Sequence, residues 1–450
     1  MTTTYDPQHP SYFDEGDLRG ELTRVFDLCH GCRLCFNLCP SFPTLFEFVD
    51  QHDGLAERMS RQEQNQVIDE CYQCKLCYVK CPYVPPHEWN LDFPRLIMRA
   101  NAIRARNTSI KDKITDSALG NTDLAGKFST LVSPIVNSIM TGTGTPLRKV
   151  IEKTIGISSK RALPTYARRR FSKWFKETKR LSSSKLTSNG PGGAGSNPPQ
   201  ASVSVYPTCF IEYMAPEIGE DLVKVFEHNN IECSMPQGAR CCGAPWLHSG
   251  AIDKFVKVAE KNIEALEDDL RQGKDIVVAQ PTCAYVIKKD YPMYVKSELA
   301  SLVAEKVFEP SEYLFKIHKG ADTQLNTNFE GSVPPKIVYH VACHHQALNT
   351  GIKARDLLKL AGVSVAIVPK CSGIDGTWGY RAANYEESIK VGKLLFNALS
   401  EELDKVDEVG ENVIMGDCHL ANCAIAESNN VMPLHPIQVL ARAYGLTHDE

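Results

Sequence analysis

The chain has 450 residues, room for two to four domains, with 43% hydrophobic and 23% charged residues and a net charge of −4. This balance is that of a globular protein and offers nucleic acid no basic surface. Seventeen cysteines argue for metal or redox chemistry, because residues 1–27 lack a secretory leader and no apolar run reaches the roughly 18 residues of a spanning helix.

Two cysteine runs come first. They are Cys29-His-Gly-Cys32-Arg-Leu-Cys35-Phe-Asn-Leu-Cys39-Pro40 and Cys71-Tyr-Gln-Cys74-Lys-Leu-Cys77-Tyr-Val-Lys-Cys81-Pro82. Both read C-x2-C-x2-C-x3-C-P. Two-residue gaps let a tight loop aim three thiolates at three corners of one cubane, and the fourth, fixed by proline, reaches the other cluster. Two 4Fe–4S clusters are expected, one on Cys29, Cys32, Cys35 and Cys81, the other on Cys71, Cys74, Cys77 and Cys39. Zinc also uses C-x2-C pairs, but it needs four ligands in two pairs, and each run here supplies four cysteines and a trailing proline. The insert 41–70 reads as helical. The paired runs resemble a two-cluster ferredoxin domain over about residues 20–100, so 1–100 is expected to be a helical domain of that type.

No cysteine occurs from Pro82 to Thr208, and 101–187 reads as a helical, partly basic connector. Within it, residues 160–185 hold ten Lys or Arg against Glu177, a charge of +9 that leaves the rest of the chain near −13. Ala167, Phe171, Trp174, Phe175, Thr178 and Leu181 recur there at helical spacing. Such a helix suits an anionic membrane or quinone-bearing surface; alternatively its aromatic stripe lies on a neighbouring domain with the basic face in water. The breaker-rich stretch at 188–200 reads as a flexible linker.

Beyond the linker, strands alternate with helices. Strands are expected at 202–206, 276–279, 337–342, 363–368 and 413–415, and helices at 215–229, 251–270, 354–360 and 381–402. The fold class is therefore mixed: a helical N-terminal domain, then α/β units around mostly parallel sheets. The cysteines indicate a duplication. Cys209 to Cys283 spans 74 positions and Cys343 to Cys418 spans 75, with Cys241-Cys242-Gly243 and Cys371-Ser372-Gly373 between them. Each stands at or just beyond a strand's C-terminal end, where open α/β sheets hold ligands. Two lobes follow, 201–318 and 335–450, joined by a polar loop at 319–334.

Cys209, Cys241-Cys242-Gly243-Ala-Pro245 and Cys283 resemble the CCG cysteine-rich domain. That domain is found in heterodisulfide reductases, in the iron–sulfur subunit of anaerobic glycerol-3-phosphate dehydrogenase, and in glycolate- and lactate-oxidising complexes. A two-cluster ferredoxin fused to two such lobes is the layout of that glycerol-3-phosphate dehydrogenase subunit. The resemblance implies a third cluster on Cys209, Cys241, Cys242 and Cys283, with Cys241 and Cys242 as the reactive pair. It implies a fourth on Cys343, Cys371 and Cys418, with Cys423 or His344 as extra ligands. The chain departs from the pattern at Gln280-Pro-Thr-Cys283-Ala-Tyr-Val286, where Cys283 lacks a C-x2-C partner on either side, and at Ser372, where a poor soft-metal ligand replaces a cysteine. Lobe 2 therefore reads either as a three-ligand cluster site or as a retained fold with leftover thiols; Cys233 reads as a buried hydrophobe.

His340, His344 and His345 flank Cys343. Satisfying a strand end is one reading; tuning a cluster or moving a proton is the other, with His344 the candidate catalytic residue. No G-x-G-x-x-G, P-loop or G-x-S-x-G follows a strand, so a flavin or nicotinamide site is expected on a partner chain. The expected role is an iron–sulfur electron carrier between a partner flavoprotein dehydrogenase and an acceptor such as quinone or a disulfide. The expected location is cytoplasmic or peripheral on the inner membrane face. Tyr12-Phe-Asp-Glu through Cys32, with Pro82–Asn90, resembles heterodisulfide-reductase-related proteins associated with rubrerythrins, which implies a rubrerythrin-type partner as a further option. A thiol–disulfide reductase and an iron–sulfur sensor or scaffold are the rival readings.

Overall fold

The computed structural model describes residues 5–188, 198–374, 376–405 and 413–446. Most of the expected linker, 189–197, lies outside the described residues.

The N-terminal domain is helical, with α1 Glu15–Cys32, α2 Ser41–Gln51, α3 Arg61–Asp69, α4 Leu76–Lys80 and α5 Phe93–Arg106. Asp14 caps α1 by accepting from the Asp17 amide, and Ser60 with Glu63 forms a capping box on α3. Apolar faces of α1, α2 and α5 (Leu22, Phe26, Leu45, Phe46, Leu96, Ile97) make a core that reaches the cysteine loops. Four short helices follow: α6 Ile110–Gly120, α7 Thr122–Leu131, α8 Ser133–Thr141 and α9 Pro146–Ile155.

The basic segment is helical only from Phe171, as α10 Phe171–Ser188; residues 161–170 are irregular. Phe171, Trp174 and Phe175 are buried in the core of the first lobe. Its cations meet the lobes' acids: Lys160 pairs with Glu386, Arg161 with Glu427, Arg169 with Glu220 and Lys179 with Glu227. Of the two readings of this stripe, packing on a neighbouring domain is the one the described residues show. The charge segregation in sequence is complementary pairing in the fold. Phe171→Ala is expected to cost about 3–5 kcal/mol, read as a lower denaturant midpoint.

Lobe 1 runs β1 Ala201–Val205, α11 Cys209–Tyr213, α12 Pro216–His228, β2 Ile231–Ser234, α13 Ala244–His248, α14 Ile252–Arg271, β3 Asp275–Val277 and α15 Pro281–Tyr285. It continues through α16 Tyr291–Tyr294, α17 Glu298–Lys306, β4 Val307–Phe308 and α18 Pro310–Lys319. The sheet is wholly parallel in order β2-β1-β3-β4, with Val203 beside Cys233 and Asp275. Cys233 on β2 is 3% exposed in the apolar core. The stripe of α14 (Phe255, Ala259, Ile263, Leu266) closes one face of the sheet.

Lobe 2 repeats this plan with β5 Lys336–His340, α19 Cys343–Leu348, α20 Lys353–Leu360, β6 Ser364–Val368, α21 Tyr385–Asp404, β7 Val413–Gly416, α22 His419–Asn429 and α23 Pro436–Ala443. Its strand order β6-β5-β7, also parallel, matches β2-β1-β3 of lobe 1. One core spans both lobes, since α12 packs on α23 and α18 on α20. Residues 320–335 carry no regular element.

Candidate metal centres

Two small voids, of about 20 and 10 Å³, lie in the N-terminal domain. Cys29, Cys32, Cys35 and Cys81 line the first, and Cys39, Cys71, Cys74 and Cys77 the second. Each void thus takes three thiols from one run and the fourth from the other. A left-handed residue stands at the same place in each run, Arg33 with φ 53° and Lys75 with φ 64°, and reverses the loop so that neighbouring thiols converge. The sulfurs have donors: the Tyr83 amide lies 3.4 Å from Cys81 Sγ and Gln73 Nε2 lies 3.6 Å from Cys71 Sγ.

The electrostatics fit iron. Burial and then the neighbouring Cys81 and Cys32 push the Cys35 thiol up to about 11, and burial drives Cys29 and Cys77 higher still. Four thiols that burial and mutual repulsion keep from ionising together would become thiolates with iron at their centre.

The two groups differ in exposure. Cys32 is exposed, and beside it Leu34 and Phe36 are 58% and 50% exposed. Cys74 and Cys77 are buried, Cys77 in the domain's own core, as is Lys75, whose Nζ donates to Gln73 Oε1 at 2.5 Å. Arg33, its counterpart in the first run, stands in solvent paired with Asp50.

In lobe 1 the four cysteines form one buried chain of thiol contacts, Cys209 to Cys241, Cys241 to Cys242 and Cys242 to Cys283. Cys209 opens α11 and Cys283 lies in α15, both beyond strand ends, while the loop after β2 carries the pair. Gly243 takes φ 85°, and a Cβ there would meet Phe255 at 3.0 Å, so only glycine lets this loop close on α14. The loop backbone is pinned: Asp123 accepts from the Cys241 amide at 3.0 Å, Asn262 Nδ2 donates to Cys241 O at 3.0 Å and the Tyr291 hydroxyl to Cys242 O at 3.0 Å. Hydrogen bonds from the Cys209 and Cys242 thiols hold Cys241 well below the usual thiol range, against burial. The same contacts with Cys241 raise Cys209 and Cys242. One stabilised thiolate inside a thiol quartet is a donor set for iron.

Lobe 2 arranges its cysteines differently. Cys343 Sγ lies 3.7 Å from His344 Nδ1. Cys371 Sγ accepts from the Gly373 amide at 3.3 Å, and the Tyr72 hydroxyl hydrogen-bonds the same thiol. Cys418 Sγ accepts from Gln280 Nε2 of lobe 1 at 3.2 Å and has Cys423 as a thiol neighbour. Gln280, three residues before Cys283, therefore serves the other lobe's sulfur. Ser372 is buried beside Cys371.

Three parts of the chain converge at the second ferredoxin void, because α19 packs on both α15 and α4. Tyr72 sits among Cys39, Cys74 and Cys371, and its ring lies 5.2 Å from Trp378. His344 is buried with Nδ1 3.3 Å from Thr282 Oγ1 and its ring edge-on to Tyr285, and it meets the Gln73 backbone. Burial, then the charge of Lys75, lowers His344 to about 3, so its imidazole is neutral at ordinary pH. Next to it, His345 Nδ1 lies 2.8 Å from Asp417 and 3.0 Å from Glu309. Against burial, these two carboxylates hold His345 well above its usual range. Glu309 belongs to lobe 1 and Asp417 to lobe 2, so the imidazolium pins the lobes together. Sequence reasoning passed over Tyr72, Asp123, Asn262, Glu309 and Asp417. Of these only Tyr72 carried a linear signal, its place inside a cysteine run.

Comparison with known proteins agrees with this geometry. Residues 21–82 match the 4Fe-4S dicluster domain family and residues 203–288 the CCG cysteine-rich domain family. One subunit of the anaerobic glycerol-3-phosphate dehydrogenase of Escherichia coli K12 is 26% identical over 352 residues, covering 77% of this chain and 81% of that protein. Lactate utilization protein A of Bacillus pumilus is 27% identical over 251 residues, 53% of this chain and 95% of that one. Lactate utilization protein A 2 of Bacillus cereus Q1 is 23% identical over 256 residues, 53% and 98% respectively. No helix among the described residues is long and apolar enough to cross a membrane. With a 4Fe–4S dicluster domain joined to a cysteine-rich domain, the chain is an iron–sulfur electron-transfer protein homologous to that glycerol-3-phosphate dehydrogenase subunit and to lactate utilization protein A.

Proposed function

We propose that the chain takes electrons from a partner dehydrogenase at its exposed ferredoxin face and delivers them to the lobe 1 thiol site, which serves an acceptor such as quinone. The carrying observation is the convergence of α4, α15 and α19, which sets the second ferredoxin quartet against both lobes. The ligands assigned are Cys29, Cys32, Cys35 and Cys81; Cys71, Cys74, Cys77 and Cys39; and Cys209, Cys241, Cys242 and Cys283. A 4Fe–4S cluster, when bound, stores and releases one electron at a time. The residues do the rest. Leu34 and Phe36 beside Cys32 offer the donor an apolar landing, and the buried Lys75 places a positive charge where an added electron is stabilised. Tyr72 and the His344–Thr282 contact bridge the ferredoxin thiols to Cys371 and to the Cys283 helix. Direct thiol–disulfide exchange is disfavoured, because Cys241 is 5% exposed and exchange needs sulfur to meet sulfur.

Reduced protein mixed anaerobically with a water-soluble quinone tests the route. Cys209→Ser is expected to slow quinone reduction by roughly tenfold or more while both ferredoxin EPR signals remain. An unchanged rate would mean that electrons leave without using lobe 1.

A further inference from the structure

Helices α6 to α9 are packed inside out. Their buried positions are Thr115, Gly120, Gly126, Thr130, Ser133 and Arg148. Gly126 lies so close to Tyr213 that a Cβ would come within 2.4 Å of the ring, and Arg148 donates to the carbonyls of Met140, Ser158 and Arg161. Their outward positions are apolar. Ile110 and Ile114 lie one turn apart on α6, as do Leu124, Phe128 and Leu131 along α7, and Leu147 and Val150 on α9; Val132 and Ile135 stand at the start of α8. Leu131 is 80% exposed, Ile110 79% and Phe128 64%. Since α6 packs on α9 and α7, and α7 on α8, the helices that carry these residues adjoin one another. An apolar surface of this extent on a water-facing layer has a partner.

The charges select the partner. Among the described side chains of the four helices, the exposed ions are Lys113, Lys127, Lys149 and Lys153 against Asp112. The other acids are engaged: Asp116 pairs with Arg381, Asp123 accepts from the Cys241 amide and Glu152 from the Ser159 amide. A lysine-fringed patch meeting its own copy across a two-fold axis would set like charges together. Apolar side chains among lysines suit a bilayer with anionic headgroups, where the rings and branched chains enter the acyl boundary and the ammonium groups reach phosphate.

We propose that α6–α9 are a membrane-docking surface for an anionic lipid bilayer. The surface stands independently of the electron route, yet it lies over lobe 1: the same α7 that turns Leu124 and Phe128 outward holds Cys241 through Asp123. Docking would bring the Cys209–Cys241 site within about 10 Å, one helix diameter, of the lipid.

The test is flotation of the full chain, anaerobically loaded with iron and sulfide, on phosphatidylcholine vesicles with and without phosphatidylglycerol. The protein is expected to float with the anionic vesicles. The triple variant Leu124→Ser, Phe128→Ser, Leu131→Ser should lose roughly tenfold or more of that binding, with iron content and circular dichroism unchanged. Lys176→Glu, on the basic segment that packs on lobe 1, should float as the parent does. Failure of the parent to float, or equal flotation of the triple variant, would overturn the proposal. So would a vesicle-free dimer that the triple variant abolishes, which would give the surface to a second copy.

Discussion

Anaerobically purified chain is expected to hold about twelve irons with matching sulfide, three clusters of four. Eight belong to the N-terminal domain and four to lobe 1. The distribution among variants tests more than the total. Cys81→Ala is expected to empty the site of the first run and Cys39→Ala that of the second, because each of these thiols lines the other run's void. Cys241→Ala should lose about four irons and leave both ferredoxin signals, since Cys241 carries the one thiolate stabilised by its neighbours. Iron and sulfide assays with EPR measure all three. Eight irons in the parent would leave lobe 1 without a cluster. Loss of both ferredoxin signals in Cys81→Ala would show that the two sites assemble only together.

The lobe 2 cysteines should contribute little iron to this count. Cys371 is engaged by the Tyr72 hydroxyl and Cys418 by the Gln280 amide, with Cys423 as the thiol beside Cys418. The same plan of strands has thus become a supporting surface. It presents His344 to the Gln73 backbone and to Thr282, and Cys371 to Tyr72, so its thiols meet the ferredoxin domain and lobe 1.

The sequence made much of this legible because spacing encodes it. C-x2-C-x2-C-x3-C-P constrains where thiols fall on a loop, and the near-equal intervals from Cys209 to Cys283 and Cys343 to Cys418 mark two copies of one sheet plan. The fate of the basic helix was not legible, because Phe171, Trp174 and Phe175 form an apolar stripe whether lipid or protein covers it. Only the acids that meet its cations, Glu212, Glu220 and Glu227, decide between them, and they lie more than 30 residues away. Helices α6 to α9 hid for the opposite reason. Hydrophobic periodicity assigns the apolar face to the core, and here Gly126 and Thr130 take the inner face while Phe128 and Leu131 take the outer one. Partnerships such as Gln280 with Cys418 join residues 138 positions apart, and no local pattern records them.

The pin between the lobes has a large consequence for stability. His345→Gln is expected to destabilise the chain by about 3–5 kcal/mol, because Glu309 and Asp417 would then face each other buried and without a cation. The triple variant with Glu309→Gln and Asp417→Asn should recover most of that loss, as a neutral cluster avoids the unpaired charge. The pH dependence has a definite sign. His345 is raised in the folded chain, so its contribution is complete below the unfolded value near 6.5 and declines as pH rises through the folded one. Asp417 is lowered, so its contribution is present above about 3.9 and is lost as pH falls through its folded value. Glu309 is raised by burial, so its contribution is complete below its unfolded value of about 4.3 and declines as pH rises through the folded one. The stability difference between parent and triple variant should therefore be greatest at about pH 4 and shrink on both sides, as followed by denaturant unfolding. A difference that is flat with pH would mean that the three side chains meet as neutral groups. The interface would then rest on its apolar contacts, α12 against α23 and α18 against α20.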